Sequence, residues 1–104
     1  MSDAVAEPSD VLSPWRLESF AQSLTSLSDN TVTAYLADLR GFAEWAARAG
    51  VTEPDAVKRT VVRRYLAFLT TRQYARRSIA RKTASLRRYY QWLARQKLVS
   101  VDPT

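Results

Sequence analysis

The sequence contains neither cysteine nor histidine among its 104 residues. Without cysteine the chain cannot form a disulfide, a thiolate nucleophile or a cysteine-ligated zinc site. Without histidine it lacks the commonest general base and metal ligand, which excludes hydrolase triads and most transition-metal sites built from this chain alone. The carboxylates are scattered and no glycine-rich loop could hold a phosphate. We therefore predict no active site, no metal and no cofactor.

Long apolar runs are also missing, because no stretch approaches the roughly 18 consecutive apolar residues that a membrane-spanning helix needs. The first ten residues, MSDAVAEPSD, are acidic and lack the basic and apolar regions of a secretory signal. We expect a cytoplasmic protein with a single domain over residues 13–100. Residues 1–12 are expected to form a disordered tail.

The charge is divided unevenly along the chain, which has a net charge of +6. Residues 1–57 contain three arginines and nine acidic residues, whereas residues 58–104 contain thirteen lysines and arginines and a single acidic residue, Asp102. Clustered cations favour a polyanionic partner, because they release counterions from a phosphate backbone. A solvated basic surface with no such partner is the alternative that charge alone leaves open.

Apolar residues recur every three to four positions in four segments, so we predict an all-α, four-helix domain. Ser13 and Pro14 are typical of an N-cap and a first helical residue, and predict the start of the first helix. Ser28 predicts the cap of the second helix, which we expect over residues 29–49 with Gly50 at its end.

The rest of the chain predicts a connector and two more helices. Pro54 interrupts the helical pattern, and a short helical turn is expected near residues 55–58. Thr60 predicts the cap of the third helix. The fourth helix is expected to begin at Ser78 or just before it, and Pro103 closes the chain.

The fourth helix has two unlike faces. Residues 78–97 hold four arginines and two lysines without an acidic residue. On a helical wheel, Arg77, Arg81, Arg88 and Arg95 form one stripe, while Leu86 and the other large apolar residues fall on the opposite side. Trp92 is an exception, because it lies within about 20° of Arg81. It suggests that the C-terminal half of this helix is covered on more than one side.

The five tyrosines are weak candidates for a nucleophile. Four lie within apolar helical periods and are assigned to the core, with their hydroxyl groups at its rim. Tyr74 lies in a basic turn and is available to contact a phosphate.

Two helix starts carry side chains suited to DNA. A helix N-terminus directs free N–H groups and a positive dipole end towards phosphates, and its first side chains can reach base edges in the major groove. At the start of the fourth helix these are Arg76, Arg77, Ser78, Arg81, Lys82 and Ser85. At the start of the second helix they are Ser28, Asn30, Thr31 and Thr33. Helix caps and solvated surface residues are the alternative reading.

Two segments carry a family resemblance. LSDNTVTAYLADLRGFAEWAARAG resembles the S-x-N-T-x-x-A-Y-x-x-D-L-x-x-F helix of the N-terminal core-binding domain of tyrosine recombinases. SIARKTASLRRYYQWL is similar to their S-x-A-R-x-L-S-A-L-R-x-F-Y-x-F-L helix. The bacterial XerC and XerD group is the most similar, and the resemblance extends over roughly residues 13–104.

The resemblance implies a four-helix, SAM-like domain that forms half of a C-shaped clamp around double-stranded DNA. The second and fourth helices of the family face the major groove. Carried onto this sequence, Asn30, Thr31 and Tyr35 would lie near the DNA backbone, and Asp38 and Arg40 on the surface of the second helix. Residues expected near the groove are Ser78, Arg81, Lys82, and Arg87 or Arg88.

The family's catalytic residues belong to a C-terminal domain, so the resemblance implies a chain that is not itself an enzyme. Residues 101–104 would begin the linker to that domain. Implied partners are a DNA recombination site and other recombinase protomers in a synaptic tetramer, with the isolated domain a monomer. Two alternatives stay open, which are a helical protein-interaction module with a basic face and a stand-alone DNA-binding regulator.

Overall fold

The computed structural model describes residues 13–104, which form four α-helices and no strand. They are α1 (Leu17–Ser23), α2 (Asp29–Arg48), α3 (Arg59–Thr71) and α4 (Arg76–Arg95), with a short 3₁₀ turn at Pro54–Ala56 between α2 and α3. The all-α, four-helix prediction is therefore confirmed. The disordered tail expected for residues 1–12 lies outside the described residues.

The ends of α2 follow from its sequence. The hydroxyl of Ser28 accepts a hydrogen bond from the backbone N–H of Thr31 at 3.2 Å, as expected of an N-cap. At the other end Gly50 adopts a left-handed conformation with φ 86°, and the N–H of Val51 donates to the carbonyl of Ala46. This is a Schellman ending, which favours glycine because the position has a positive φ.

The predicted starts of α1 and α3 are wrong, and α4 begins before Ser78, as the sequence allowed. Residues 13–15 form a 3₁₀ turn, and Arg16, with φ 54°, precedes the first residue of α1. Lys58 stands at the N-cap of α3, so Thr60 lies inside that helix. Ala75 stands at the N-cap of α4, and Ser78 is its third residue. None of these three N-cap residues makes a side-chain capping bond, so their helix starts depend on packing rather than on a cap.

The core is aromatic and centres on α4, which packs against α2 and α3. Tyr89 and Tyr90 are fully buried. The hydroxyl of each donates a hydrogen bond to the carbonyl of a residue far away in the sequence. Tyr89 donates to Trp15 at 2.6 Å and Tyr90 donates to Pro54 at 3.0 Å. These bonds fasten the segment before α1 and the connector after α2 to the same turn of α4.

Residues after α4 fold back onto the domain. Val99 and Pro103 are buried, and the N–H of Ser100 donates to the carboxylate of Asp55 at 3.1 Å. Val101 is 75 % exposed. That residues 101–104 begin a linker stays a prediction.

Candidate nucleic-acid interface

One side of α4 is lined with exposed arginines. The residues at spacings of three and four along this side are all exposed, and we call them the α4 basic stripe: Arg77, Arg81, Ala84, Arg88, Gln91 and Arg95. Such spacing keeps residues on one face of a helix. Because α4 contains no acidic residue, this face presents four arginines and no negative charge of its own.

The stripe faces outwards because the opposite side of α4 is the most apolar part of the domain. Leu86, Tyr89, Tyr90 and Leu93 are at most 2 % exposed. Trp92, on the basic side of the wheel, is nevertheless buried, since its ring lies 5.6 Å from that of Phe20 in α1. The C-terminal half of α4 is therefore covered on more than one side, as Trp92 suggested.

Asp38 of α2 lies beneath the N-terminal half of the stripe. Its carboxylate accepts two hydrogen bonds from Arg81, at 2.9 Å from Nε and 2.7 Å from Nη2. The Asp38 residue is only 3 % exposed, so its predicted place on the surface of the second helix is wrong. The hydrogen bonds and charge of Asp38 raise the pKa of Arg81 above its ordinary value. The basic face of α4 thus contains one buried counter-charge.

Lys82 completes this buried cluster. Its ammonium lies 3.2 Å from Oδ1 of Asp38, and the side chain is only 15 % exposed. The same ammonium stands 5.3 Å from the centre of the Tyr74 ring, within the range of a cation–π contact. Lys82 therefore joins α4 to α2 and to the turn after α3, which leaves its charge less available to an external phosphate than sequence analysis predicts.

Ser85 does not reach the surface. It is fully buried, and its hydroxyl donates to the carbonyl of Lys82 at 2.9 Å. A direct contact with DNA in the folded domain is therefore excluded by burial, and its inclusion among the surface candidates is wrong. Ser85 lies just on the buried side of the boundary between the exposed and the buried faces of α4.

The first turn of α4 is open to solvent. Arg76 and Arg77 are exposed and Ser78 is half-buried. Ala75 has no side chain that could accept a hydrogen bond from the N–H groups of this turn. Arg76 and Arg77 thus have the exposed N-terminal position that was predicted for them, while Ser78 is only partly accessible.

The start of α2 is polar, and Ser28 and Thr31 take part in capping the helix. The Ser28 hydroxyl donates to that of Thr31 at 3.0 Å, while Asn30 and Thr33 are exposed. Further along, Tyr35 is half-buried and meets α4 at a surface recess of about 340 Å³. The α4 residues that line this recess are Ala84, Arg87, Arg88, Gln91 and Arg95.

The structure thus brings some of the predicted residues together. Tyr35 and Arg88 share the recess, and Arg81 and Lys82 share Asp38. Sequence analysis did not single out Gln91 as a site residue, although its spacing from Arg88 and Arg95 places it on the stripe. Nor could it find the ion pair of Asp38 with Arg81, because the two residues are 43 positions apart in the chain and lie on different helices.

Other kinds of site find little support in the described part of the chain. Residues 13–104 contain no group of three or more acidic, histidine or cysteine side chains that could hold a metal ion. None of the described helices is both long and apolar enough to cross a membrane.

Comparison with known proteins gives a family match. Residues 17–97 match the family model described as phage integrase, N-terminal SAM-like domain. The chain is 42 % identical over 90 residues to tyrosine recombinase XerD of Shewanella oneidensis, a match that covers 84 % of this chain and 30 % of that protein. It is 41 % identical over 78 residues to XerD of Pseudomonas putida, covering 75 % and 26 %.

XerC proteins match as well. Tyrosine recombinase XerC of Halalkalibacterium halodurans is 37 % identical over 76 residues, which cover 73 % of this chain and 25 % of that protein. The chain therefore spans less than a third of the length of these curated relatives, and its match is to the N-terminal, non-catalytic domain. No solved structure matches it. The resemblance carried by the two helix motifs is confirmed.

Proposed function

The chain belongs to the family of phage integrase N-terminal SAM-like domains, and we propose that it binds double-stranded DNA as the clamp domain of a site-specific tyrosine recombinase. The observation that carries the proposal is the α4 basic stripe, which exposes four arginines on a helix without an acidic residue. Arginines on one face of a helix suit phosphates and guanine edges in the major groove.

The dimensions of the stripe suit this partner. From Arg77 to Arg95 it runs for about 27 Å at 1.5 Å per residue. The major groove of B-DNA is about 12 Å wide and admits an α-helix. Tyr35 of α2 lies beside the C-terminal half of the stripe, at the recess shared with Arg88. We therefore propose that α2 and α4 face the same DNA.

The proposed contacts revise those predicted from sequence. Arg77 and Arg88 are phosphate or base contacts of α4, and Arg81 contributes the edge of its guanidinium that Asp38 leaves free. Lys82 and Ser85 are removed from the set, because the first is paired internally and the second is buried. The other proposed contacts are Asn30, Thr31, Tyr35, Arg76 and Ser78.

The longer protein implied by the relatives is part of the same proposal. The relatives are named tyrosine recombinases, and we infer that the parent of this domain breaks and rejoins DNA through a tyrosine carried by another domain. Its partners would then be a recombination site and other protomers in a synaptic tetramer, with this domain alone a monomer. We place the protein in the cytoplasm, with chromosome dimer resolution as one candidate role.

The test is a titration of labelled domain with a short duplex, followed by NMR at low and moderate salt. Shifts should gather at residues 28–35 and along the α4 basic stripe, and should fade as salt rises. The logarithm of the binding constant should fall against log salt with a slope of about −0.9 for each phosphate contact. A folded domain without shifts at low salt contradicts the proposal.

One feature favours a protein partner as a second candidate. A groove of about 190 Å³ between α3 and α4 has Arg59, Arg63 and Arg87 at its rim and Val62, Leu66, Leu86 and Pro103 among its lining residues. Basic rims with an apolar floor suit an acidic segment with an apolar anchor. A titration with an acidic peptide that carries an apolar anchor tests this function, and shifts at this groove in a domain that shows none with the duplex favour it over DNA binding by the stripe.

A further inference from the structure

Arg81 is the one member of the α4 basic stripe whose orientation is fixed by an identified partner. A guanidinium has five N–H donors in a rigid plane. Nε and Nη2 of Arg81 each donate to one oxygen of Asp38. Of the three remaining N–H donors, two lie along the outer Nη1–Nη2 edge, and the Arg81 side chain is 46 % exposed. That outer edge is a fork suited to a pair of acceptors.

Asp38 is itself held from a second direction. Its side chain is only 2 % exposed, and Lys82 donates to the same Oδ1 that accepts from Nη2 of Arg81. Lys82 in turn stands over the Tyr74 ring. A buried carboxylate with two cationic partners has little freedom to rotate, so the guanidinium plane of Arg81 is set by Asp38 and Lys82, whose side chains are largely buried.

We propose that Asp38 is a positioning residue for DNA recognition, which holds Nε and Nη2 of Arg81 so that its outer Nη1–Nη2 edge meets two acceptors on DNA. The inference rests on the proposed function of the α4 basic stripe. Two sources offer such an acceptor pair, which are O6 and N7 of a guanine and two oxygens of a phosphate. The proposal gives Lys82 a structural role rather than a contact with DNA.

The decisive variant is Asp38→Asn, because two accounts predict opposite signs. If Asp38 acts only through its charge, removing a negative charge beneath the stripe strengthens binding to DNA. If it positions Arg81, binding weakens, and we expect about a tenfold loss, which corresponds to ~1.4 kcal/mol. Affinity is measured by fluorescence anisotropy at low salt, with a duplex selected by the wild-type domain from a random pool.

A double-mutant cycle removes a merely structural explanation. In an Arg81→Gln background, Asp38→Asn should no longer weaken binding, because the group that it positions is gone. Arg48→Gln serves as a control that removes one positive charge and leaves both partners of Asp38 in place. It should weaken binding less than Asp38→Asn does. Equal losses in the presence and absence of Arg81 would overturn the positioning role.

Replacing guanine by 7-deazaguanine in the selected duplex separates the two acceptor sources. Loss of N7 should weaken the wild-type domain and leave Arg81→Gln unaffected if the fork meets a guanine. An equal response in both proteins assigns the fork to a phosphate. In either arm Arg81→Lys should bind more weakly than the wild type, since a lysine keeps the charge and lacks the fork.

The outcomes separate this inference from the function on which it rests. A folded wild-type domain that fails to bind any duplex at low salt contradicts DNA binding itself. A wild-type domain that binds, with an Asp38→Asn variant that binds equally or more tightly, overturns only the positioning role. If Asp38→Asn does not fold, Arg81→Lys decides, because affinity equal to the wild type excludes a need for the oriented fork.

Discussion

The two halves of α4 are held in place by different kinds of interaction. The N-terminal half, residues 76–85, contacts α2 through the ion pairs of Asp38 and exposes most of its cations. The C-terminal half, residues 86–95, buries Tyr89, Tyr90 and Leu93 completely. The α4 basic stripe runs along both halves, since Arg88 and Arg95 are exposed, but only the C-terminal half has a large apolar face that anchors the helix.

This division explains how α4 can stay folded although it carries many positive charges. Apolar burial is not screened as charge pairs are and contributes roughly 25 cal/mol per Å², so the aromatic half fixes the axis of α4 whatever the stripe binds. The charged half has one buried carboxylate, Asp38, that orients Arg81. Changes to the buried residues of the aromatic half should therefore affect stability, whereas changes to the exposed arginines of the α4 basic stripe, in either half, should affect DNA binding.

Alkaline pH should have the largest effect on stability, through the buried tyrosines of the aromatic half and through Tyr65 of α3. Burial raises the pKa of Tyr65 from its ordinary value of 10.0 to about 12, and burial also raises the pKa of Tyr89 and of Tyr90. Between pH 10 and the raised pKa values, these tyrosines ionise readily only in the unfolded chain. Their contribution to the stability of the folded state is therefore complete below pH 10 and is lost as the pH rises further. For Tyr65 alone this amounts to roughly 3 kcal/mol, which is lost as pH rises from 10 to 12.

The measurement is unfolding by circular dichroism together with phenolate absorbance. Ionisation of these three tyrosines should coincide with loss of helix above pH 10. The contrary result is a domain whose buried phenols all ionise while its helices stay intact. High salt is a suitable control, since it should not restore the fold if burial is the main cause of the raised pKa values.

Leu93→Ala should produce the largest effect of a single substitution at neutral pH. The side chain is fully buried in the aromatic half, and truncation leaves a cavity that costs ~2–5 kcal/mol of unfolding free energy. Leu86→Ala, at 2 % exposure, should fall in the same range. Urea denaturation measures both. Val101→Ala is the matched control, because its 75 % exposed side chain leaves no cavity.

Tyr90→Phe tests the polar bond within the aromatic half. The substitution keeps the ring and removes the hydroxyl that donates to the carbonyl of Pro54. The Pro54 carbonyl still accepts from the N–H of Val57 at 3.2 Å, so the loss is that of one hydrogen bond, ~0.5–1.5 kcal/mol. Thermal denaturation measures the loss, and Tyr74→Phe, at an exposed ring, should change stability much less. Equal stability of the two variants would contradict a role for the Tyr90 bond.

The aromatic half was more predictable from sequence than the charged half. Periodicity places Leu86, Tyr90 and Leu93 on a buried face, because that face depends on one helix alone. The burial of Trp92 depends on Phe20 of α1, and the pairing of Arg81 depends on Asp38 of α2. A helical wheel contains no information about neighbouring helices, so it predicts the stripe and misses its counter-charge.

Helix boundaries show the same distinction. Ser28 and Gly50 mark α2 correctly, since each acts on backbone groups within a few residues. The starts of α3 and α4 at Arg59 and Arg76 have no capping side chain and could not be found by a search for one. The end of α3 places Gln73 at φ 61°, where glycine would be the usual signal. Tertiary packing determines these boundaries.

Arg77→Gln should have the smallest effect on stability and a clear effect on binding. Arg77 is exposed in the first turn of α4, and surface substitutions of this kind change the unfolding free energy by about 0.5 kcal/mol or less. If Arg77 contacts a phosphate, the slope of log affinity against log salt becomes shallower by about 0.9. The matched control is Arg48→Gln, an exposed arginine at the C-terminal end of α2. A shallower slope for Arg77→Gln alone assigns an electrostatic contact with DNA to the charged half of α4. Equal slopes for both variants would mean that binding depends on net charge and not on the arginines of the stripe.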